Sequence, residues 1–339
     1  MISNGDTLTT TTQPEILVAE GLRKSYGPRK ALQGLSFSLK AGRVLGFLGP
    51  NGAGKTTSIR ILTTMMEPEA GHFVIDGIGS EYPEQIRNRI GVLPEGLGFP
   101  KQMTGLEYLL YYGQLYGRTA REASQKAHSL LEGVGLQQRA KSLIGSYSRG
   151  MKQRLGIARA LINDPVVVFL DEPTLGLDPR GQQELLELVL RIARERNAAV
   201  VLSTHLLSEI ENICDDVLIL DLGQIVARGS VSQVIGRVQK NIILKSVLRI
   251  HVPPLSVTKA REVLETMPNI LRISQIGELE GSLRLELMAS DDGDMAVAYE
   301  INNKILSALL RAKIPILRFE VEGGRLQDIF MHLTEDVIQ

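Results

Sequence analysis

The segment Gly49-Pro50-Asn51-Gly52-Ala53-Gly54-Lys55-Thr56-Thr57 leaves few choices of fold, because it follows the apolar run Val44 to Leu48 and leads into Ser58-Ile59-Arg60-Ile61-Leu62. It fits G-x-x-x-x-G-K-[ST] in the order strand, glycine loop, helix. Glycines let backbone approach an anion closely, and the N–H groups of the loop and of the helix N-terminus face phosphate oxygens. In such a cradle Lys55 reaches the β/γ oxygens and Thr56 offers a hydroxyl to Mg²⁺, while Gly49, Pro50, Asn51, Gly52, Ala53, Gly54 and Thr57 complete the wall. The alternative is a plain glycine-rich turn, against which the order of the flanking elements argues.

A second segment supplies what the cradle needs. Val166-Val167-Val168-Phe169-Leu170 reads as a buried strand ending in Asp171-Glu172, at the edge where open α/β sheets bind ligands. Asp171 is placed to hold the Mg²⁺ shell, and Glu172 to orient and deprotonate a water for in-line attack on a γ-phosphate. Taken without the loop at Gly49, such an acid pair is equally a solvated strand end.

Composition narrows the partners. Thirty-eight basic residues balance 38 acidic ones, which removes the electrostatic basis for nonspecific nucleic-acid or anionic-membrane binding as the main activity. The one cysteine, Cys214, excludes a disulfide framework within the chain and reads as a small buried hydrophobe. Five scattered histidines offer no Cys/His cluster for zinc, so the chemistry falls to Mg²⁺ and nucleotide. The longest apolar runs are far short of the ~20 residues that span a bilayer, and a soluble, cytoplasmic chain is expected.

Along the chain, residues 1–14 read as a disordered polar tail, 15–238 as an α/β domain on a largely parallel buried sheet, and 239–339 as a smaller accessory domain. In the α/β domain, Val44 to Leu48, Val166 to Leu170 and Ala199 to Ser203 are the central strands. Ile16 to Tyr26 and Ala31 to Leu39 form an antiparallel flank, and about 95–160 is a helical insertion. A link over Gln239 to Leu244 leads to elements in the order βαββαβ, as in ferredoxin-like folds, and a short helix over Leu326 to Thr334 closes the chain.

Three further segments, Tyr147-Ser148-Arg149-Gly150-Met151-Lys152-Gln153-Arg154, Asp171-Glu172-Pro173-Thr174-Leu175-Gly176-Leu177-Asp178 and Ser203-Thr204-His205, resemble the nucleotide-binding subunit of an ABC transporter in order and spacing. The resemblance covers Ile16 to about Gly229. It implies a P-loop ABC-type ATPase core with an antiparallel flank and helical insertion, followed by the small α+β domain. It also implies that two copies of the chain sandwich two ATP molecules, each held by the phosphate loop of one copy and the Ser148-to-Met151 signature of the other. On that basis Tyr26 stacks on adenine, Ser148 and Gly150 approach the partner's nucleotide, Asp178 links the two sites, and His205 contacts the γ-phosphate. Each of these residues also has a bland reading: packing for Tyr26, an edge histidine for His205, a helix N-cap for Ser148.

Departures from the family pattern refine the expectation. Glu95 stands where glutamine is usual in the loop joining core and insertion, beside the nucleotide and its Mg²⁺, and glutamate there resembles the export-type branch with drug- and antibiotic-resistance ATPases. Tyr147, Arg149 and Met151 replace the usual signature leucine, first glycine and glutamine, whereas Ser148 and Gly150 are retained. Arg325 to Thr334 resembles the closing segment of the same branch. The expected activity is ATP hydrolysis that powers a separately encoded integral membrane permease, an exporter, from the cytoplasmic face. A soluble ABC-type ATPase acting on nucleic acid or the ribosome is the alternative. It is disfavoured because the chain has neither a second ATPase domain nor a long coiled coil before the signature. A regulator without turnover is disfavoured by Glu172 and His205.

Overall fold

The computed structural model describes residues 15–96, 98–234, 247–275, 281–287 and 295–322. The chain divides into two compact units, 1–229 and 230–339. The expected tail, the link at Gln239 to Leu244 and the helix at Leu326 to Thr334 lie outside the described residues.

The first unit opens with strands β1 (Glu15–Tyr26), β2 (Arg29–Lys40) and β3 (Val44–Leu48), then helix α1 (Lys55–Leu62). Strands β4 (Ala70–Ile75) and β5 (Ile78–Gly79), helix α2 (Pro83–Arg87) and strand β6 (Ile90–Leu93) follow. Helices α3 (Gly105–Leu115), α4 (Ala120–Gly133) and α5 (Arg149–Ala160) make up the helical insertion. Strand β7 (Val167–Asp171), helix α6 (Pro179–Arg196), strand β8 (Ala199–Thr204), helix α7 (Leu207–Ile213) and strands β9 (Asp216–Asp221) and β10 (Gln224–Ser230) complete it.

These strands form two sheets. One, β2-β1-β4-β5, is antiparallel; in the other, β10-β9-β3-β8-β7-β6, the strands from β9 to β6 are parallel. Every residue of β3, β7 and β8 is buried, as expected of strands covered on both faces. Their side chains alternate between two cores. Val167 and Phe169 join Leu45, Phe47 and Val201 against the antiparallel sheet and α1, while Val168 and Leu170 join Val44, Val200 and Leu202 against α6 and the insertion. Burying a side chain of this size contributes about 1.5–3 kcal/mol, so the two cores dominate the unit's stability.

Helices α3 and α4 each begin with a reciprocal capping box, Thr104 with Glu107 and Thr119 with Glu122, which fixes their first turns. Gly46 in the middle of β3 admits α7: a Cβ there would stand 2.2 Å from Ile210 Cδ1 and 2.9 Å from Cys214 Sγ. Cys214 packs half-buried against the helix-side core, and burial pushes its thiol pKa up, away from reactivity.

The second unit contains β11 (Val247–His251), α8 (Val257–Glu265), β12 (Ile270–Gln275), β13 (Ser282–Leu287), α9 (Met295–Arg311) and β14 (Arg318–Glu322). The sheet order is β12-β13-β11-β14 with every neighbouring pair antiparallel, the arrangement that a βαββαβ order gives when each helix crosses to one face. Leu248, Ile250, Leu283 and Leu285 pack there against Ala260, Leu264, Ile305 and Leu309. Among the described residues no helix is long and apolar enough to cross a membrane.

Candidate functional site

Register brings the chemistry to one edge. Leu48 is opposite Thr204 and Asp171 opposite Ser203, so the C-terminal ends of β3, β7 and β8 deliver the glycine loop, the acid pair and the Ser203-His205 segment side by side. This is the crevice where open parallel sheets bind ligands. A cleft of about 540 Å³ opens there, lined among others by Tyr26, Asn51, Gly52, Gly54, Lys55, Thr56, Thr57, Glu95, Glu172 and His205.

The loop is shaped for close approach. Gly54 caps α1 with φ +112°, and a Cβ on it would stand 2.7 Å from Ala31 O. No side chain caps α1 and no acid lies in its first turn, which leaves its N–H groups and its positive end to an anion. Lys55 is 6% exposed, and its Nζ donates to Gly49 O at 2.6 Å and Pro50 O at 3.2 Å. Burial lowers its pKa, an effect opposed by the charges of Glu172, Asp171 and Glu95. Pro50 O also accepts from Ala53 N at 3.2 Å, which closes the loop's first turn.

Facing the loop, Thr56 Oγ1 donates to Asp171 Oδ1 at 3.4 Å, and the same carboxylate oxygen accepts a short hydrogen bond from buried Ser203 Oγ. Ser203 in turn accepts the Glu172 backbone N–H, through Oγ at 3.0 Å and O at 3.2 Å. Glu172 has φ +47°, a left-handed conformation that costs a non-glycine residue about 1–3 kcal/mol and that the surroundings must impose. Its side chain is 12% exposed; Oε2 accepts from His205 Nδ1–H at 2.9 Å and Oε1 lies 3.9 Å from Lys55 Nζ. Burial raises the carboxyl pKa against the opposing pull of His205 and Lys55. The result is a carboxylate whose proton affinity is increased beside a cradle built for phosphate, the property a general base requires.

The remaining expected residues lie elsewhere. Ser148 is the N-cap of α5, accepting from Met151 N at 3.3 Å, and it lines a second cleft of about 570 Å³ together with Arg149, Gly150, Gly176, Leu177 and Asp178. Tyr147, in place of the usual leucine, is buried and donates its hydroxyl to Arg139 O at 2.7 Å. Two residues at this edge carry no signal in the motifs. Arg29, in the cleft wall, donates to Gly52 O at 3.1 Å, and buried Glu209 accepts from Thr204 Oγ1 at 2.7 Å immediately before His205. Arg29 follows the turn after Tyr26, so its proximity to the loop needed the β1–β2 hairpin in three dimensions.

Residues 32–175 match the family model described as ABC transporter. The chain is 31% identical over 326 residues to the linearmycin resistance ATP-binding protein LnrL of Bacillus subtilis, covering 94% of this chain and 98% of the relative. It is 36% identical over 326 residues to the daunorubicin/doxorubicin resistance ATP-binding protein DrrA of Streptomyces peucetius, covering 95% and 94%. Among solved structures, an ATP-binding subunit of an ABC transporter superposes with a TM-score of 0.59 at 31% identity, covering 66% of this chain and 92% of that one. With the phosphate cradle, the acid pair and the histidine assembled at one sheet edge, the chain belongs to the ATP-binding subunits of ABC transporters, ATPases of a branch that includes those of antibiotic and drug resistance.

Proposed function

We propose that the chain hydrolyses MgATP in the cleft between Lys55 and Glu172, as one of two identical copies that close around two nucleotides, and that it powers a separately encoded integral membrane exporter from the cytoplasmic face. The carrying observation is the separation of the two halves of the site. Lys55, Thr56, Glu172 and His205 share one cleft, whereas Ser148, Gly150 and Asp178 line another, which supports a site completed by a second chain.

In this reading adenine stacks on Tyr26, and the loop N–H groups and Lys55 take the phosphates in exchange for the carbonyls that Lys55 now holds. Thr56 and Asp171, with Glu95 at the rim, are hard oxygen donors suited to Mg²⁺, which needs only one or two protein ligands when phosphates and waters supply the rest. The metal, when bound, neutralises charge that develops on the β/γ oxygens. Glu172 takes a proton from water as the water oxygen bonds to the γ-phosphorus and the bond to ADP breaks. His205 holds the carboxylate in place through Nδ1–H.

Full-length similarity to resistance ATP-binding proteins supports the export assignment. Purification of the tagged chain from detergent-solubilised membranes tests the reading. An integral membrane protein that co-purifies and raises ATP turnover is expected; co-purification of nucleic acid or ribosomes without such a partner refutes it.

A further inference from the structure

Gln153 is a polar side chain in a buried place. It is 5% exposed on α5, five residues after the signature N-cap Ser148. Its Nε2 donates to Pro173 O at 2.8 Å, and its Oε1 has no partner among the described residues. An unsatisfied buried acceptor costs about 1–3 kcal/mol; a methionine of similar length would avoid that cost only by leaving the buried Pro173 carbonyl without its donor at a similar one. The amide is therefore not explained by packing.

What it holds is the peptide next to the catalytic carboxylate. Pro173 follows Glu172, the residue held at φ +47°. The Glu172 N–H is fixed by Ser203 and its C=O accepts Leu175 N at 3.2 Å. Among the described residues, Gln153 is the donor that reaches the next carbonyl. One more contact binds α5 to the same stretch of chain. The Arg149 guanidinium lies so close over Gly176 that a Cβ there would stand 2.5 Å from its Cζ. The signature helix and the segment after Glu172 are thus joined at two points, and Arg154 pairs further along with Glu184 of α6.

We infer that Gln153 is a positioning residue that couples the two nucleotide sites of the dimer. When Ser148 engages the partner's nucleotide, the movement of α5 is passed through the Gln153–Pro173 hydrogen bond to the strained Glu172 backbone. The chain's own general base is then aligned only when the partner's site is loaded. This rests on the two-copy arrangement proposed above. The physical basis is a short buried contact between two elements with a strained residue at one end.

Mixed dimers of the full-length chain, assembled from two differently tagged copies, separate this role from a simple loosening of the signature. The reference dimer pairs a wild-type chain with an E172Q chain and has one working base. In the first test dimer Q153M is placed on the chain with the intact Glu172; in the second it is placed on the E172Q chain. The first is expected to lose about 10- to 100-fold in kcat at unchanged KM, the range for a misplaced catalytic group, and the second to match the reference. If the second slows and the first does not, Gln153 shapes only its own signature pocket, and the inference is overturned. Equal rates in all three dimers, or equal slowing in both test dimers, also overturn it. Thermal melts and fluorescent-ATP titration are run on each variant; where Q153M melts early, Q153N, whose amide is one methylene too short to reach Pro173, takes its place. Failure of wild-type and E172Q chains to dimerise with ATP would count instead against the two-copy arrangement itself.

Discussion

Substituting Glu172 by glutamine isolates the proton-accepting role of this side chain from its place in the fold. Glutamine has the same shape, its side-chain oxygen can still accept from His205 Nδ1–H, and both contacts of the backbone N–H with Ser203 are untouched. What is lost is the proton acceptor and its negative charge, 3.9 Å from Lys55 Nζ. Losing a general base slows turnover by about 10² to 10⁴, equivalent to ~2.7–5.4 kcal/mol of transition-state stabilisation. Phosphate release at saturating MgATP measures this, while equilibrium titration should return an unchanged ATP affinity and light scattering an ATP-bound dimer that accumulates. Turnover within a few-fold of wild type would remove Glu172 from the role.

The same substitution has a second, independent consequence with a definite sign. Because burial raises the Glu172 pKa in the folded chain, the native state binds more protons than the unfolded one between the ordinary carboxyl range and the raised value. The stability this group contributes is fully present below the ordinary pKa of ~4.3 and is lost as pH rises through the raised one. Glu172→Gln removes that loss, so the variant should melt higher than wild type at neutral pH and the difference should vanish on acidification. An E172Q chain that melts lower than wild type at neutral pH would contradict the burial argument.

Three other substitutions test the cradle. Lys55→Ala removes a charge-assisted phosphate contact of about 1.5–3 kcal/mol, so the ATP dissociation constant should rise about 10- to 150-fold in a fluorescence titration, and an unchanged constant contradicts the contact. Ser203→Ala withdraws a donor from Asp171 and an acceptor from the Glu172 N–H; the urea midpoint should drop by the equivalent of ~1–3 kcal/mol and turnover should require more Mg²⁺, and wild-type values of both refute the link. Gly54→Ala places a Cβ 2.7 Å from Ala31 O at φ +112°, so nucleotide affinity should fall sharply in a chain whose far-ultraviolet spectrum is little changed. Retained affinity would mean that the loop relaxes without loss of the cradle.

The parts of the site that were legible in the sequence are those whose partner is a ligand. A phosphate demands glycines, a lysine and a hydroxyl at fixed spacing, so Gly49 to Thr57 announces its chemistry, and the strand ending in Asp171-Glu172 does so through its apolar run. The βαββαβ order of the second unit was legible for a related reason: with short connections, antiparallel pairing and few crossovers, the order of elements nearly determines the sheet. What the sequence hid are residues whose partner is another part of the chain. Arg29 reaches Gly52 only because the β1–β2 hairpin lies beside the loop, Ser203 meets Asp171 across 32 positions through parallel register, and Gln153 meets Pro173 across 20. No local spacing encodes such contacts, since their geometry is set by how strands pair and which helix face is buried. Ligand-facing residues are therefore read from pattern, whereas the residues that hold them in working geometry appear only after the sheet is built. In this chain those supporting residues converge on one strained peptide, Glu172-Pro173, approached from β8 by Ser203 and from the signature helix by Gln153. On the proposed role of Glu172, a base held from two sides is aligned when both supports are in register, and hydrolysis then depends on the position of α5 as well as on bound nucleotide.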